Sequence, residues 1–301
     1  MLNFFTSIVL ASLLLPTGFN FLVQKAVDYS FVVGTGTQVQ APTRIINKSF
    51  GLRTTAKSIL VVDDYSGAIL YNKNPSAALP IASITKLMTA LTFLDYNADL
   101  DQVVKLKPED RREGGIPYLL TGEEVTVRDL FYLMLVSSTN EAAVALADNF
   151  GMEQFISAMN KKAAELKMIN SYFVDPSGLE PGNVASPFDL VKLANAVFQE
   201  SDITATLATK EYQFTVLNTL REGKVTNNDA LLRGFINADP YQIIGAKTGY
   251  LDEAGYTLLL RVKKDDISLT VVILGAETIT DRWQEAKGLV DWVFRNYRWP
   301  E

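Results

Sequence analysis

The sequence predicts an α/β fold of the α+β type, in which one antiparallel sheet is built from both chain ends. Strand-like segments occur early, within residues 58–71, and return late, within residues 211–274. The residues between them largely follow helical spacing, and a closing helix is predicted over residues 281–294. Strands at both ends with helices between them indicate a sheet with flanking helices and a helical insertion.

The composition limits the classes of function. The chain has 301 residues, of which 48% are hydrophobic, so it can bury a substantial core. Its net charge is -6 and no run is rich in Lys or Arg, which gives nucleic-acid binding no electrostatic support. The absence of His and Cys excludes the Ser-His-Asp triad, Cys nucleophiles and zinc sites built on those residues. A hydroxyl nucleophile would therefore need activation by Lys or by a carboxylate.

Residues 1–24 are predicted to be a signal peptide or a membrane anchor. Residues 4–23 are mostly apolar, which is typical of both kinds of segment. The usual basic residues do not precede the apolar run, no clean Ala-x-Ala cleavage site follows it, and Pro16 and Asn20 interrupt it. A buried helix of a soluble domain is the alternative.

Residues 25–54 are predicted to be a linker, because hydrophobic periodicity is weak there and Gly and Pro recur. The folded domain is expected to span residues 55–301. It begins with a hairpin pattern, in which residues 58–63 and 68–71 flank the turn Tyr65-Ser66-Gly67.

A helix carrying a nucleophile and a base is predicted next. Pro80 favours a helix start, and apolar residues then recur at helical spacing, namely Leu87, Met88, Leu91 and Leu94. Ser83 and Lys86 are three residues apart and share one helix face. Ser83 would lie in the first turn, where free N–H groups and the helix dipole favour developing negative charge. Burial would lower the pKa of Lys86 and leave a neutral amine that can act as a base.

The middle of the chain is predicted to be mainly helical. The segment Thr126–Asp129 caps a helix that ends near Val136, and an Ala-rich helix begins near Asn140. Residues 152–166 and 187–198 also follow helical spacing. The later strand-like segments are residues 211–216, 242–246, 256–262 and 267–274.

Two further motifs follow apolar segments. Ser138-Thr139-Asn140 follows the apolar run 130–136, and Lys247-Thr248-Gly249 follows the strand-like segment 243–246. Each motif, like Ser83-x-x-Lys86, occurs once in the chain. Ser-x-x-Lys, Ser-x-Asn and Lys-Thr-Gly in this order form the motif set of penicillin-binding proteins and β-lactamases. Since the three motifs are remote in sequence, we expect them to meet in the cleft between the sheet and the helical insertion.

The chain from about Thr55 onward resembles the low-molecular-mass D-alanyl-D-alanine carboxypeptidases and endopeptidases of bacterial cell walls. The resemblance extends beyond the three motifs to Ile81–Ala90, Ser137–Ala143, Asp175–Leu179 and Gly255-Tyr256. It implies a penicillin-binding/β-lactamase-like fold and a serine-type D-Ala-D-Ala carboxypeptidase that needs no cofactor. The implied substrates are peptidoglycan stem peptides ending in D-Ala-D-Ala, and β-lactams are the implied inhibitors.

The resemblance also implies a location and a subtype. The substrate lies outside the cytoplasmic membrane, so an export segment at the start of the chain is preferred, with the protein in the periplasm or cell-wall space. That segment is either cleaved or anchors the protein to the cytoplasmic membrane. The sequence leaves no room after the closing helix for the β-rich C-terminal domain of many carboxypeptidases, which favours the compact endopeptidase-like members.

The resemblance implies a role for each motif residue. Ser83 would attack the carbonyl between two D-alanines and form an acyl-enzyme, with Lys86 as the general base. Lys247 would supply a second positive charge near Lys86. Ser138 would relay a proton towards the leaving amine. Asn140 would hydrogen-bond the substrate amide and Lys86.

The remaining roles concern substrate binding. Thr248 is expected to contact the terminal carboxylate, and Arg282, at the start of the last helix, is expected to help bind it. Gly249 has no side chain, so the substrate backbone can lie against the strand and extend the sheet. The oxyanion hole is expected to consist of the backbone N–H groups of Ser83 and Tyr250.

Simpler structural explanations exist for several of these residues. Helix capping alone would account for Ser138 and Asn140. A solvated helix start would account for Arg282, and a strand end at the surface would account for Lys247. The segment Asp175–Gly178 is expected to be a plain turn without a chemical role.

Three other functions compete with the carboxypeptidase. A D-Ala-D-Ala endopeptidase that cuts cross-links would use the same acyl-enzyme. A class A-type β-lactamase needs a Glu followed by an Asn four residues later, and Glu180 with Asn183 has the wrong spacing. An inactive β-lactam or peptide-binding module would keep its function after replacement of Ser83 by Ala.

Overall fold

The computed structural model describes residues 40–46, 49, 51–112, 114–229 and 238–300. The predictions for residues 1–24, and for the linker as far as residue 39, lie outside the described residues. Within the described ranges, no helix is both long and apolar enough to cross a membrane.

The described ranges contain a central five-stranded sheet, four two-stranded pairs and a set of helices. In chain order the strands are β1 (Thr43–Arg44), β2 (Ser58–Asp63), β3 (Ile69–Lys73), β4 (Leu79–Pro80), β5 (Val103–Lys105), β6 (Glu124–Thr126), β7 (Val184–Ala185), β8 (Glu211–Val216), β9 (Arg221–Thr226), β10 (Tyr241–Leu251), β11 (Gly255–Lys264), β12 (Ile267–Ala276) and β13 (Tyr297–Arg298). The α-helices are α1 (Thr85–Leu94), α2 (Val127–Val136), α3 (Asn140–Asp148), α4 (Met152–Glu165), α5 (Pro187–Val197), α6 (Ser201–Ala208) and α7 (Ile279–Asn296).

The central sheet has the strand order β10-β11-β12-β2-β3, and every neighbouring pair is antiparallel. The hairpin β2–β3 comes from the N-terminal part of the domain, and β10 to β12 come from its C-terminal part. Because β12 pairs with β2, both chain ends contribute to one sheet, and the predicted fold class is confirmed. β10 lies at one edge of this sheet, so its outer side has no neighbouring strand among the described residues.

Both faces of the sheet are covered, and β2 illustrates how. Successive side chains of a strand point to opposite faces. Ile59 and Val61 pack in the cluster that includes α7, whereas Leu60 and Val62 pack in the cluster formed with α1 to α6. All six residues of β2 are buried, which explains its continuous apolar sequence.

The helical layer follows the sequence signals closely. At the start of α2, Thr126 Oγ1 accepts a hydrogen bond from Asp129 N, and the Asp129 carboxylate accepts one from Thr126 N. This reciprocal arrangement is a capping box, as the sequence predicts. At the start of α5, Ser186 accepts from Asp189 N and Pro187 occupies the first helical position.

Part of the segment predicted to be a linker lies against the domain. Thr43 pairs with Arg298 and Arg44 with Tyr297, in an antiparallel β1–β13 ladder at the end of the chain. Ile45 N donates to Asn296 O at 2.8 Å. A two-residue strand carries no periodicity of its own, so only its pairing partner reveals it.

Candidate active site

The turn that carries Ser83 differs from the predicted start of an α-helix. Ala82–Ile84 form a 3₁₀ turn that leads into α1. Ala82 has a φ angle of 48°, in the left-handed region that residues with a Cβ seldom adopt. Ile81 N donates to Asn183 O at 3.0 Å, and β4 pairs with β7 just before the turn. These contacts hold a conformation that local sequence propensity does not favour.

Two glycines lie against this turn. A Cβ on Gly178 would lie 2.1 Å from Ala82 O, and a Cβ on Gly249 would lie 2.8 Å from Ser83 N. Neither contact leaves room for a side chain. Gly249, expected from the sequence to admit substrate, thus has a further role, because it lets β10 approach the turn of the nucleophile.

Lys86 lies beneath Ser83 and is fully buried. Its Nζ atom is 3.0 Å from Ser83 Oγ, 2.7 Å from Asn140 Oδ1 and 2.5 Å from Ser177 O. The amine thus has a neighbour from each of three chain segments, of which the motif residues account for two.

Burial lowers the pKa of Lys86 to about 7. The negative charges of Asp175 and Glu141 act in the opposite direction and limit this decrease. A Lys side chain in water has a pKa near 10.4. The amine at this site is therefore neutral in a substantial fraction of molecules near neutral pH, as a general base must be.

Lys247 reaches the same site from β10. Its Nζ atom donates to Ser138 Oγ at 2.7 Å and to Thr248 O at 3.2 Å, and the residue is buried. Burial holds the pKa of Lys247 well below its usual range, and the charges of Lys86 and Arg282 lower it further. The surface-lysine alternative is therefore wrong.

Ser138 lies in the loop before α3, and Asn140 is the first residue of that helix. Ser138 has a φ angle of 62°, and Thr139, not Ser138 or Asn140, occupies the N-cap position of α3. Asn140 Nδ2 donates to Gly114 O at 3.1 Å while its Oδ1 faces Lys86. Helix capping therefore does not explain these two side chains.

Arg282 is buried at the start of α7, so the solvated-arginine alternative is wrong. Its Nη1 donates to Gly249 O at 3.1 Å, and its guanidinium lies 4.2 Å from the centre of the Trp283 ring. Burial lowers the pKa of Arg282 to about 10, so it stays charged at neutral pH. Among the described residues, its Nε atom is buried without a hydrogen-bond partner.

A cleft of about 730 Å³ opens above these residues. Its lining includes residues from the turn, the loops and the end of β10, among them Ser83, Gly114, Ile116, Ser138, Asn140, Leu179, Tyr250 and Asp252. Tyr250, half exposed, donates from its hydroxyl to Asp252 Oδ1 at 2.6 Å and stacks on Tyr256. No group of His, Cys, Asp and Glu side chains in the described ranges is arranged to hold a metal ion.

Sequence reasoning missed several residues of the site. The segment Asp175–Gly178 is more than the plain turn expected, since Ser177 O contacts Lys86 and Gly178 contacts Ala82. A carbonyl oxygen has no sequence signature, although the match of Asp175–Leu179 to the family pattern was a signal. Asp229, a buried carboxylate, raises the pKa of both Lys247 and Arg282, and nothing in the sequence singled it out.

Comparisons with known proteins agree with this arrangement. A sequence profile of the family described as D-alanyl-D-alanine carboxypeptidase matches residues 43–278. The chain is 35% identical over 242 residues to a D-alanyl-D-alanine endopeptidase of Pseudomonas aeruginosa, covering 78% of this chain and 76% of that protein. It is 32% identical over 263 residues to the D-alanyl-D-alanine carboxypeptidase DacF of Bacillus subtilis, covering 83% of this chain and 66% of DacF.

The fold has the same relatives. The crystal structure of the Streptomyces K15 DD-transpeptidase matches with a TM-score of 0.75 and 26% identity, over 82% of this chain and 100% of that chain. A penicillin-binding protein homologue of Mycobacterium tuberculosis matches with the same TM-score over 84% of this chain. The profile covers far more than half of the chain, so this protein belongs to the D-alanyl-D-alanine carboxypeptidase family of serine hydrolases.

Proposed function

We propose that this member of the family removes the terminal D-alanine from peptidoglycan stem peptides through an acyl-enzyme on Ser83. The observation that carries the proposal is the position of the Lys86 amine, which is buried and 3.0 Å from Ser83 Oγ. Because the chain has neither His nor Cys, a hydroxyl nucleophile must be activated by a Lys or by a carboxylate. The reaction requires no metal or organic cofactor.

The three contacts of Lys86 accommodate both the protonated amine and the neutral base. A neutral amine has two N–H donors and one lone pair, whereas an ammonium group has three donors. Asn140 Oδ1 and Ser177 O are acceptors only, and they take the two N–H groups. In the protonated form the third N–H donates to Ser83 Oγ at 3.0 Å, and in the neutral form the lone pair would face Ser83 Oγ, whose O–H would then donate to it. Proton transfer from Ser83 to Lys86 follows this hydrogen bond.

Acylation takes one proton from Ser83 and delivers one proton to the leaving amine. The Ser83 oxygen forms a bond to the carbonyl carbon of the penultimate D-alanine, and its proton passes to Lys86. Backbone N–H groups of Ser83 and Tyr250 stabilise the oxyanion. The C–N bond then breaks, and the proton that Lys86 holds passes through the Ser138 hydroxyl to the leaving amine. Water hydrolyses the ester and restores the free Ser83 hydroxyl.

Substrate binding uses the free edge of β10. A peptide that pairs with Thr248–Tyr250 extends the antiparallel sheet across the cleft. Its terminal carboxylate then lies near Thr248 and near the charges of Lys247 and Arg282. Asn140 binds the substrate amide. β-Lactams enter the same site and acylate Ser83, because they carry a reactive carbonyl and a carboxylate at a similar spacing.

The substrate implies a place in the cell. Peptidoglycan peptides are available outside the cytoplasmic membrane, so the enzyme acts in the periplasm or the cell-wall space. Residues 1–24 then serve as a signal peptide or as an anchor in the cytoplasmic membrane.

An endopeptidase activity is the second candidate, and one observation favours it. The relatives include D-alanyl-D-alanine endopeptidases of Pseudomonas aeruginosa and Escherichia coli, the latter 32% identical to this chain. Both reactions form the same D-alanyl enzyme and differ only in the leaving amine. The endopeptidase would accept a cross-linked peptide, and the carboxypeptidase would accept a free terminal D-alanine.

Intact-protein mass after brief exposure to benzylpenicillin tests the nucleophile. The parent protein should gain one benzylpenicilloyl group, and Ser83→Ala should gain none. No adduct with intact penicillin would overturn the proposed mechanism and favour the binding module. Consumption of penicillin without a lasting adduct would favour a β-lactamase.

Muropeptides distinguish the two peptidase activities. Incubation with a pentapeptide monomer should release D-alanine, whereas incubation with a cross-linked dimer reports conversion to monomers. Ser83→Ala serves as the control in both assays. Cleavage of the dimer alone would make the endopeptidase the better description.

A further inference from the structure

The loop from Val174 to Asn183 is organised by one carboxylate. Asp175 Oδ1 accepts hydrogen bonds from Ser177 N, Ser177 Oγ and Gly178 N at 2.5 to 2.8 Å. Its Oδ2 accepts from Glu180 N and from Asn183 Nδ2, both at 2.8 Å. Both oxygens are therefore used within the loop, and the backbone N–H groups of Ser177, Gly178 and Glu180 are held in place.

The loop is also fixed to its surroundings. Asn183 is fully buried, and its Oδ1 accepts from Val174 N at 2.7 Å while its carbonyl accepts from Ile81 N. The loop also contacts α1, where Thr89 Oγ1 donates to Pro176 O at 2.6 Å. The loop is thereby tied both to the segment that enters the Ser83 turn and to the helix that carries Lys86.

These contacts place one atom of the loop at the reacting centre. Ser177 O is 2.5 Å from Lys86 Nζ, and Gly178 lies directly against Ala82 O. Asp175 is not among the residues that line the cleft, and the hydrogen bonds of its carboxylate described above all stay within the loop. Its influence on the reaction must therefore pass through the Ser177 carbonyl and through its charge.

Charged groups face Lys86 from several elements in the described part of the chain. Glu141 lies on α3, Asp175 on the loop, and Lys247 on β10. The two carboxylates favour the protonated amine and Lys247 disfavours it. The balance between these charges sets the pH above which the Lys86 amine is mostly neutral.

We infer that Asp175 is a positioning residue for the general base, holding the Ser177 carbonyl against the Lys86 amine and setting the pH at which that amine becomes neutral. The inference rests on the proposed acyl-enzyme at Ser83. Removal of the Asp175 charge, and loosening of the Ser177 carbonyl, both disfavour protonated Lys86. Both effects therefore move the acid limb of acylation to lower pH.

The test is the rate of acylation by benzylpenicillin as a function of pH, in the parent protein, Asp175→Asn and Glu180→Gln. For Asp175→Asn we expect a limb about 0.5 to 1 pH unit lower and a maximal rate reduced by about tenfold. Glu180→Gln is the matched control, because it removes an exposed carboxylate from the same loop. Its limb and maximal rate should equal those of the parent.

The outcomes separate this inference from the proposed function. If the parent protein is not acylated at Ser83, the proposed function fails and the pH limb has no meaning. If the parent is acylated and Asp175→Asn keeps the parental limb, the inference is overturned, whatever its maximal rate. A merely structural role would lower the rate without moving the limb.

A second variant covers the case in which Asp175→Asn does not fold, as judged by thermal unfolding. Thr89→Val removes the hydroxyl that donates to Pro176 O at 2.6 Å and, more weakly, to Thr85 O of its own helix at 3.4 Å, and it leaves the shape and the Asp175 charge intact. It should slow acylation about threefold and move the limb to lower pH by a smaller step than Asp175→Asn. An unchanged limb in this variant would overturn the role of the carbonyl.

Discussion

Two buried lysines, Lys86 of α1 and Lys247 of β10, reach one site, and the neighbouring charges act on them differently. Burial lowers the pKa of Lys86 to about 7, and the carboxylates of Asp175 and Glu141 limit the decrease. Burial also lowers the pKa of Lys247, the cations Lys86 and Arg282 lower it further, and the carboxylate of Asp229 opposes them. We propose that the two lysines have different tasks, proton transfer for Lys86 and binding of the substrate carboxylate for Lys247.

The difference also shows how the two tasks are linked. A substrate carboxylate near Lys247 would raise the pKa of Lys247, because an opposite charge favours the protonated form. Protonated Lys247 would in turn lower the pKa of Lys86, since the interaction between two charges is reciprocal. We therefore expect substrate binding to favour the neutral form of Lys86.

The largest expected effect comes from exchanging the type of cation at each of the two positions. Arg carries the same positive charge as protonated Lys, but it does not lose its proton in proteins and therefore cannot act as a base. Lys86→Arg should therefore reduce the rate of acylation by about 10³-fold, the typical contribution of a general base. Lys247→Arg should reduce it only about tenfold, because Arg keeps a positive charge where we propose that the substrate carboxylate binds. Stopped-flow acylation by benzylpenicillin measures both.

Lys86→Met is the control for the buried volume, and thermal unfolding shows whether each variant is folded. Equal losses in Lys86→Arg and Lys247→Arg, with both proteins folded, would contradict the division of tasks between the two lysines.

A smaller effect is expected from the glycines that contact the Ser83 turn. Gly249→Ala and Gly178→Ala would each force the turn to move, because their Cβ atoms would meet Ser83 N and Ala82 O at less than 3 Å. Acylation should fall by about 10²-fold, the usual consequence of misplacing a reacting group by about 1 Å. Mass spectrometry over time gives the rate.

Gly288→Ala in α7 is the matched control, since its Cβ would meet only the flexible Leu52 side chain at 3.2 Å or more. It should acylate at the parental rate. A parental rate in Gly249→Ala as well would mean that the turn tolerates displacement.

The free energy of unfolding should depend on pH because the pKa of the buried Lys86 changes on folding. The pKa of Lys86 is lower in the folded protein, at about 7, than in the unfolded chain. Between these two pKa values the unfolded chain binds more protons, so the free energy of unfolding rises with pH above about 7. Lys86 contributes at most about 1.4 kcal/mol per pH unit to this rise.

Urea unfolding at two pH values above 7 measures how steeply the free energy of unfolding rises with pH. Lys86→Met should unfold with a slope lower by up to about 1.4 kcal/mol per pH unit, and it should be more stable than the parent near pH 7. An identical slope in the two proteins would indicate that Lys86 is protonated in the folded state.

The smallest effect is expected at the open end of β10. Tyr250→Phe removes the hydrogen bond to Asp252 at a half-exposed position and keeps the ring stacked on Tyr256. Acylation should change by less than about threefold, as is usual for one exposed hydrogen bond. A loss as large as that of Gly249→Ala would assign the hydroxyl a direct part in binding.

The fold was accessible from the sequence because hydrophobic periodicity determines most of it. The hairpin β2–β3, the helices α2 to α5 and the C-terminal strands lie close to their predicted positions. β10 is longer than predicted, since it continues through Lys247 and Thr248 to Leu251. Those residues interrupt the apolar pattern, and pairing with β11 keeps them in the strand.

The site was only partly accessible. The motifs predicted the meeting of Ser83, Lys86 and Asn140, because side chains of defined chemistry carry their own signal. The left-handed Ala82 and the Ser177 carbonyl had no such signal. A backbone oxygen belongs to every residue, and only the tertiary structure shows which one contacts the amine.

The contacts of Lys86 have a consequence for the order in which the protein folds. Its amine meets groups that lie 54 and 91 residues further along the chain, and Lys247 meets Ser138 across 109 residues. Contacts of such long sequence separation form late, because their loop-closure entropy must be overcome first. A partly folded chain therefore has no base beneath Ser83. We expect the enzyme to be inactive until β10, which carries Lys247, has joined the sheet, and this would confine its activity to fully folded molecules.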